Sequence, residues 1–131
     1  LTGDVVLKLL AVMVRVRCGV PVVLMGECGC GKTHMLNYIS AWLSAKLLVL
    51  DVHGGTRVED ILQIFQEAKQ LCLTSAPYVF VFLDEVNTCL HMGLIVEAIC
   101  HRSLHGVPLH DKIRVLAAAN PIRKRVNAAQ R

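Results

Sequence analysis

The sequence predicts a doubly wound α/β domain built on a parallel central sheet, and three observations carry that prediction. Short apolar runs at Val22–Met25, Leu47–Leu50, Tyr78–Leu83 and Ile113–Ala119 alternate with segments of helical periodicity, and parallel neighbours need right-handed crossovers of that kind. The runs do not alternate apolar with polar, as expected of strands covered on both faces. Finally, Gly26–Thr33 reads Gly-Glu-Cys-Gly-Cys-Gly-Lys-Thr, matching GxxxxGK[ST] without a mismatch between the first apolar run and a helical pattern.

Taken in order, Asp4 or Thr2 can cap a first helix with an apolar stripe of Val5, Leu9, Val12 and Val16. Arg15 and Arg17 suit its C-terminal end, and Gly19 with Pro21 stops it. Val22–Met25 then reads as a strand in the middle of the sheet. Beyond the glycine-rich loop, Met35, Leu36, Ile39, Trp42 and Leu43 recur at helical spacing to about Ser44. Trp42 and Tyr38 read as core or interface packing rather than as a base-stacking platform. The second strand runs into Asp51-Val52-His53-Gly54-Gly55. Thr56 and Glu59 then have the spacing of a capping box before a helix that buries Val58, Ile61, Leu62, Phe65, Ala68 and Leu71. After Thr74–Pro77 the β-branched and aromatic run Tyr78–Leu83 is central and leads straight into Asp84-Glu85. Leu94–His101 reads as a short helix, Arg102–Lys112 as an irregular connection with Gly106 and Pro108, and Asn120-Pro121 ends the fourth strand. Neither a repeat nor a linker divides the chain, so residues 1–131 form one domain.

Composition narrows the function. The 54% hydrophobic fraction exceeds the roughly 45–50% of a free-standing soluble domain and implies surfaces meant for a neighbour. The net charge of +4 is uneven: residues 1–100 carry 7 basic and 9 acidic side chains, residues 101–131 carry 7 and 1. Arg123-Lys124-Arg125 is too short for a nucleic-acid patch and suits a solvated face or an intersubunit contact. Lys8, Arg15 and Arg17 interrupt the apolar stretches, so no transmembrane segment is expected. Val5–Val14 lacks the basic region and cleavage site of a signal peptide, and the missing initiator Met suggests an excerpt of a longer chain. The six cysteines lack zinc-site spacing and fit reduced thiols in a cytosolic setting, with Cys72 and Cys100 expected to be buried on helices. His101, His105 and His110 make a weak metal candidate, for no Glu accompanies them.

The glycine-rich loop carries the chemistry. Its glycines let backbone N–H groups turn inward around phosphate oxygens at a helix N-terminus. Gly26, Glu27, Cys28, Gly29, Cys30, Gly31, Lys32, Thr33 and His34 are thus the candidate nucleotide-binding residues. Lys32 would reach the β- and γ-phosphates, and the Thr33 hydroxyl would ligate Mg²⁺. Asp84, at the end of a buried strand 52 residues after Lys32, would share the metal. Glu85 would orient or deprotonate the attacking water. Asn120, just past the Ala117-Ala118-Ala119 strand end, could bond the γ-phosphate or that water, and Asn87 is a weaker candidate for steadying it.

This order of motifs resembles the large subdomain of an AAA+ ATPase, a P-loop NTPase three-layer sandwich. More narrowly, Pro21–Glu27 into Cys30–Thr33, Asp51–Thr56, Phe82–Thr88, Arg102–Gly106 and Ala118–Pro121 are similar to the AAA+ units of the mysterin family, giant RING-type E3 ubiquitin ligases with a dynein-like ATPase core. The resemblance implies ATP with Mg²⁺ as ligand, ATP hydrolysis as reaction and adjacent AAA+ units of the same chain as partners. It also implies a parent that transfers ubiquitin through other domains, and a cytoplasmic location with possible lipid-droplet association. The large subdomain is expected to be partial, truncated before the fifth strand, the arginine finger and the helical lid. Neither Arg102 nor Arg123 is promoted to a finger. Two other readings stand beside hydrolysis: a unit that holds ATP structurally with little turnover, and an AAA+ motor on nucleic acid.

Overall fold

The computed structural model describes residues 10–15, 18–19, 22–25, 32–52 and 55–119, with secondary structure alone for Met25, Lys32 and Thr33. Helical residues 10–15 (α1) precede β1 (Val22–Met25), α2 (Lys32–Trp42), β2 (Lys46–Asp51), α3 (Val58–Leu71) and β3 (Val79–Asp84). A 3₁₀ turn at Val86–Thr88 follows, then α4 (Met92–Val96) with a π-helical turn at Glu97–His101, β4 (Ser103–Leu104), β5 (Val107–Pro108) and β6 (Ile113–Ala119). Four strands form a wholly parallel sheet in the order β1-β6-β3-β2. The expected α/β architecture is present.

β3 shows why an apolar run without alternation is central. Its side chains alternate between two cores. Val79, Val81 and Leu83 face the cluster under α3 and α4, whereas Phe80 and Phe82 face the cluster under α1 and α2. All five are fully buried, each contributing about 1.5–3 kcal/mol of apolar burial. β1 is not in the middle of the sheet as its apolar run suggests: among the described residues it pairs only with β6, and Val23 is half exposed, the apolar edge beside Val22–Met25 that a domain truncated before the fifth strand is expected to show.

In α3, the buried stripe is Ile61, Ile64, Phe65 and Ala68, with Val58, Leu62 and Leu71 partly covered. The expected Thr56/Glu59 capping box is displaced by one residue: Arg57 is the N-cap, and its backbone N–H donates to Asp60 Oδ2 at 2.9 Å. Thr56 is instead buried at 4% exposure. Beyond the other end of α3, Lys112 Nζ donates to the carbonyls of Cys72 and Thr74 at 3.1 and 3.3 Å. In α2, Leu36 and Ile39 are buried, while Trp42 is 72% exposed, so it is not core packing.

The stretch after β3 departs furthest from expectation. The helix begins at Met92, and its last turn widens so that the Arg102 backbone N–H donates to the Glu97 carbonyl, with Arg102 left-handed at φ 51°. Cys100 is consequently exposed rather than buried. Part of the expected irregular connection is a β4–β5 hairpin, turned by His105 (φ 50°) and Gly106 (φ 79°), the two-positive-φ geometry that tight hairpins favour. The Glu97 carboxylate holds that turn, accepting bonds from Ser103 Oγ (2.7 Å), His105 N (2.9 Å) and Gly106 N (2.8 Å). Those donors hold the Glu97 carboxyl below its usual range, the Gly106 N–H most of all.

Candidate functional site

Because all four strands run the same way, their carboxyl ends share one edge of the sheet, where open α/β sheets bind ligands. β1 and β6 end in register, Met25 opposite Ala119, and Leu83 of β3 lies opposite Ala117. Asp84 is therefore level with Ala118 and Leu24. With strands about 4.8 Å apart, the end of β1 and the end of β3 lie roughly 10 Å apart across β6. Between them β6 offers only Ala117, Ala118 and Ala119.

The strand's alternation also selects a face. Asp84 follows Phe80 and Phe82 in phase, and hence projects on the side of the sheet that α2 covers. Lys32 and Thr33 are the first two residues of α2. The backbone thus brings the carboxylate-bearing strand end and the start of that helix to one face at one edge. Gly26–Gly31, the side chains of Lys32 and Thr33, and Asn120 lie outside the described residues. His34 is exposed on the first turn of α2.

Asp84 is half-buried and accepts a bond from the Glu85 backbone N–H on Oδ1 at 2.9 Å. Glu85 is 8% exposed and left-handed at φ 56°, ψ 44°, a conformation that costs a residue with a Cβ about 1–2 kcal/mol. Such strain persists where the surroundings over-determine it. Here those surroundings are concrete. The Val52 N–H donates to the Asp84 carbonyl at 2.9 Å, and the Thr88 hydroxyl lies 2.9 Å from the Glu85 carbonyl and 3.2 Å from the Val52 carbonyl. Asn87, half-buried within the 3₁₀ turn, follows immediately.

Two neighbours were not assigned a role from sequence. Asp51 ends β2 in register with Asp84 and is exposed on the same face, and Thr88 ties the segment to the end of β2. The matching phase of two apolar runs that each end in Asp was the available signal for Asp51; none existed for a contact between residues 36 apart.

Asp84 fits Mg²⁺ by the chemistry of its donor: Mg²⁺ takes hard oxygen ligands and is commonly held by one or two carboxylates together with substrate phosphates. Among the described residues, no group of three His, Cys, Asp or Glu side chains could hold a metal, the histidines at 101, 105 and 110 included. A separate apolar groove of about 460 Å³ lies between α3 and the β4–β5 hairpin, near the amino end of β6 and away from Asp84. No helix among the described residues is long and apolar enough to cross a membrane.

Comparison with known proteins identifies the family and the fold. The family profile described as RNF213 AAA domain matches residues 1–123. E3 ubiquitin-protein ligase RNF213 of Mus musculus is 36% identical over an alignment covering 95% of this chain and 3% of that protein. The Homo sapiens protein of the same name is 35% identical with the same coverage. The chain thus spans about 3% of the length of these relatives. Among solved structures, a point mutant of Thermotoga maritima RuvB aligns with a TM-score of 0.60 at 21% identity, covering 95% of this chain and 43% of that one. Saccharomyces cerevisiae Hsp104 in an ADP complex aligns at 0.54 and 18% identity, covering 93% and 19%. These two show the P-loop AAA+ fold.

Proposed function

Because the chain belongs to the RNF213 AAA domain family, we propose that it binds ATP and hydrolyses it with Mg²⁺, as one AAA+ unit of a mysterin-like E3 ubiquitin-protein ligase, driving conformational change in the parent protein. The observation that carries the reading is Asp84, which ends a buried strand on the face and edge where α2 begins, with the buried Glu85 next to it in the chain. Residues 1–131 are read as a partial large subdomain, adjacent AAA+ units of the same polypeptide as its partners, and ubiquitin transfer as the work of other domains. A cytoplasmic setting goes with the four free cysteines among the described residues.

In this reading the backbone N–H groups of Gly26–Gly31 and the Lys32 ammonium bind the nucleotide's phosphates, and Glu27, Cys28, Cys30 and His34 complete the loop around them. Thr33 and Asp84 would hold Mg²⁺ through hydroxyl and carboxylate oxygens, and the metal, when bound, would supply neutralisation of charge developing on the phosphates. Glu85 orients the water attacking the γ-phosphorus and accepts its proton, and Asn120 holds that water or a γ-phosphate oxygen by hydrogen bonds. The burial of Glu85 favours this role: a carboxylate shielded from bulk solvent meets an ordered water with little reorganisation.

Glu85→Gln keeps the shape of the side chain and removes the base. In the full parent polypeptide it is expected to lower the turnover due to this unit by about 10²–10⁴-fold while ATP still binds. Undiminished hydrolysis in that variant would falsify the assignment of Glu85 as the base.

A further inference from the structure

We propose that Thr88 is a positioning residue for Glu85, holding the carboxylate in its working pose by tying the segment after β3 to the end of β2. The assignment rests on the reading of Glu85 as the base. The peptide groups of Val52, which is fully buried, are engaged on both sides: its N–H donates to the Asp84 carbonyl at 2.9 Å, and its carbonyl lies 3.2 Å from Thr88 Oγ1. The same hydroxyl lies 2.9 Å from the Glu85 carbonyl, which also receives the Thr88 backbone N–H at 3.1 Å. A hydroxyl has one proton, so Thr88 shares it between the two carbonyls or alternates between them.

This geometry closes a small ring. Asp84 bonds to β2, Glu85 makes the left-handed turn, and Thr88 returns the chain to β2 at the residue where it started. Without the hydroxyl, the return contact to Val52 is lost and the left-handed conformation at Glu85 loses one of the bonds that hold it. The Asp84 carbonyl remains fixed by Val52, so the metal ligand stays in place while the base loosens. The signature is a fall in kcat with the nucleotide KM preserved, since displacement of a reacting group by about 1 Å costs up to roughly 10²-fold in rate.

The test is steady-state Mg-ATP turnover of the full parent polypeptide, in which the fall from wild type to Glu85→Gln defines this unit's share. Thr88→Val, of nearly equal shape, is expected to lower that share about tenfold or more with KM within about twofold, and Thr88→Ser to restore it. Combined with Glu85→Gln, Thr88→Val is expected to add no further loss. Should Thr88→Val not fold, Thr88→Cys, a weak donor, takes its place. An undiminished share in Thr88→Val, an equal loss in Thr88→Ser, or a further loss on the Glu85→Gln background each overturns the assignment of Thr88. Undiminished turnover in Glu85→Gln itself overturns the base, and Thr88 as its positioner with it.

Discussion

Beneath α3 and α4 the sheet presents Val79, Val81 and Leu83; beneath α1 and α2 the same strand presents Phe80 and Phe82. Among the described residues the first face has the thicker cover. α3 alone buries Ile61, Ile64, Phe65 and Ala68, and Leu94, Ile95, Ala98 and Ile99 add a second layer beside it. On the second face the buried apolar helical residues, among those described, are Val12, Leu36 and Ile39, while Tyr38 and Trp42 stand 52% and 72% exposed. Large aromatic side chains on the strand compensate for sparse ones on the helices. The face less covered by the described residues is also the one onto which Asp84 projects.

Four substitutions sharpen or break that contrast. The largest effects are expected from core truncations, one on each face. Phe82→Ala should cost about 3–5 kcal/mol and Ile61→Ala about 2–5 kcal/mol by chemical denaturation, both side chains being fully buried. If Phe82→Ala proves the milder of the two, the second face collapses around cavities more readily than the first, and the aromatic compensation is weaker than argued.

A smaller effect should come from Glu97, which belongs to the first face. Its carboxyl is held below the usual value because the Gly106 N–H, the Ser103 hydroxyl and the His105 N–H favour the ionised form. A depressed folded-state value means that the stabilisation is present above the unfolded value near 4.5 and is lost as pH falls through the lower folded one. Melting temperature should therefore drop with acidification below about pH 4.5, and Glu97→Gln should lower it at neutral pH and flatten that dependence. An unchanged acid profile in Glu97→Gln would show that the hairpin turn does not depend on the ionised carboxylate.

The smallest effect belongs to Trp42. With 72% of its surface exposed, Trp42→Ala should change stability by no more than about 0.5 kcal/mol. A loss above about 1 kcal/mol would place Trp42 in a contact that the second face does not otherwise reveal.

Much of the fold was legible because its signals are local. The four strands, the start of α3 to within a residue, and the placement of Asp84-Glu85 at a strand end all follow from apolar runs and from carboxylates that interrupt them. The failures share a cause as well. The β4–β5 hairpin has strands of two residues, too short for periodicity, and is held by a carboxylate that precedes it in the chain. The capping residue of α3 is Arg57, one position later, and Thr56 is buried, which spacing alone does not show. Trp42 fits a helical stripe as well as Ile39 does, but the stripe does not specify how far the sheet beneath it extends.

By itself, the sequence determined the residue types available: a glycine-rich GxxxxGK[ST] stretch, an Asp whose carboxylate is a hard-oxygen donor, a Glu directly after it, and the apolar strand that leads into the two acids. Tertiary structure alone decided that β6 lies between β1 and β3, that Asp84 projects on the face where α2 begins, and that Val52 and Thr88 enclose Glu85 in its left-handed turn. The physical reason is range. Periodicity and motif spacing report interactions over a few residues, whereas strand order and the 36-residue contact between Thr88 and Val52 exist only once distant segments have been brought together by the burial of their apolar sides.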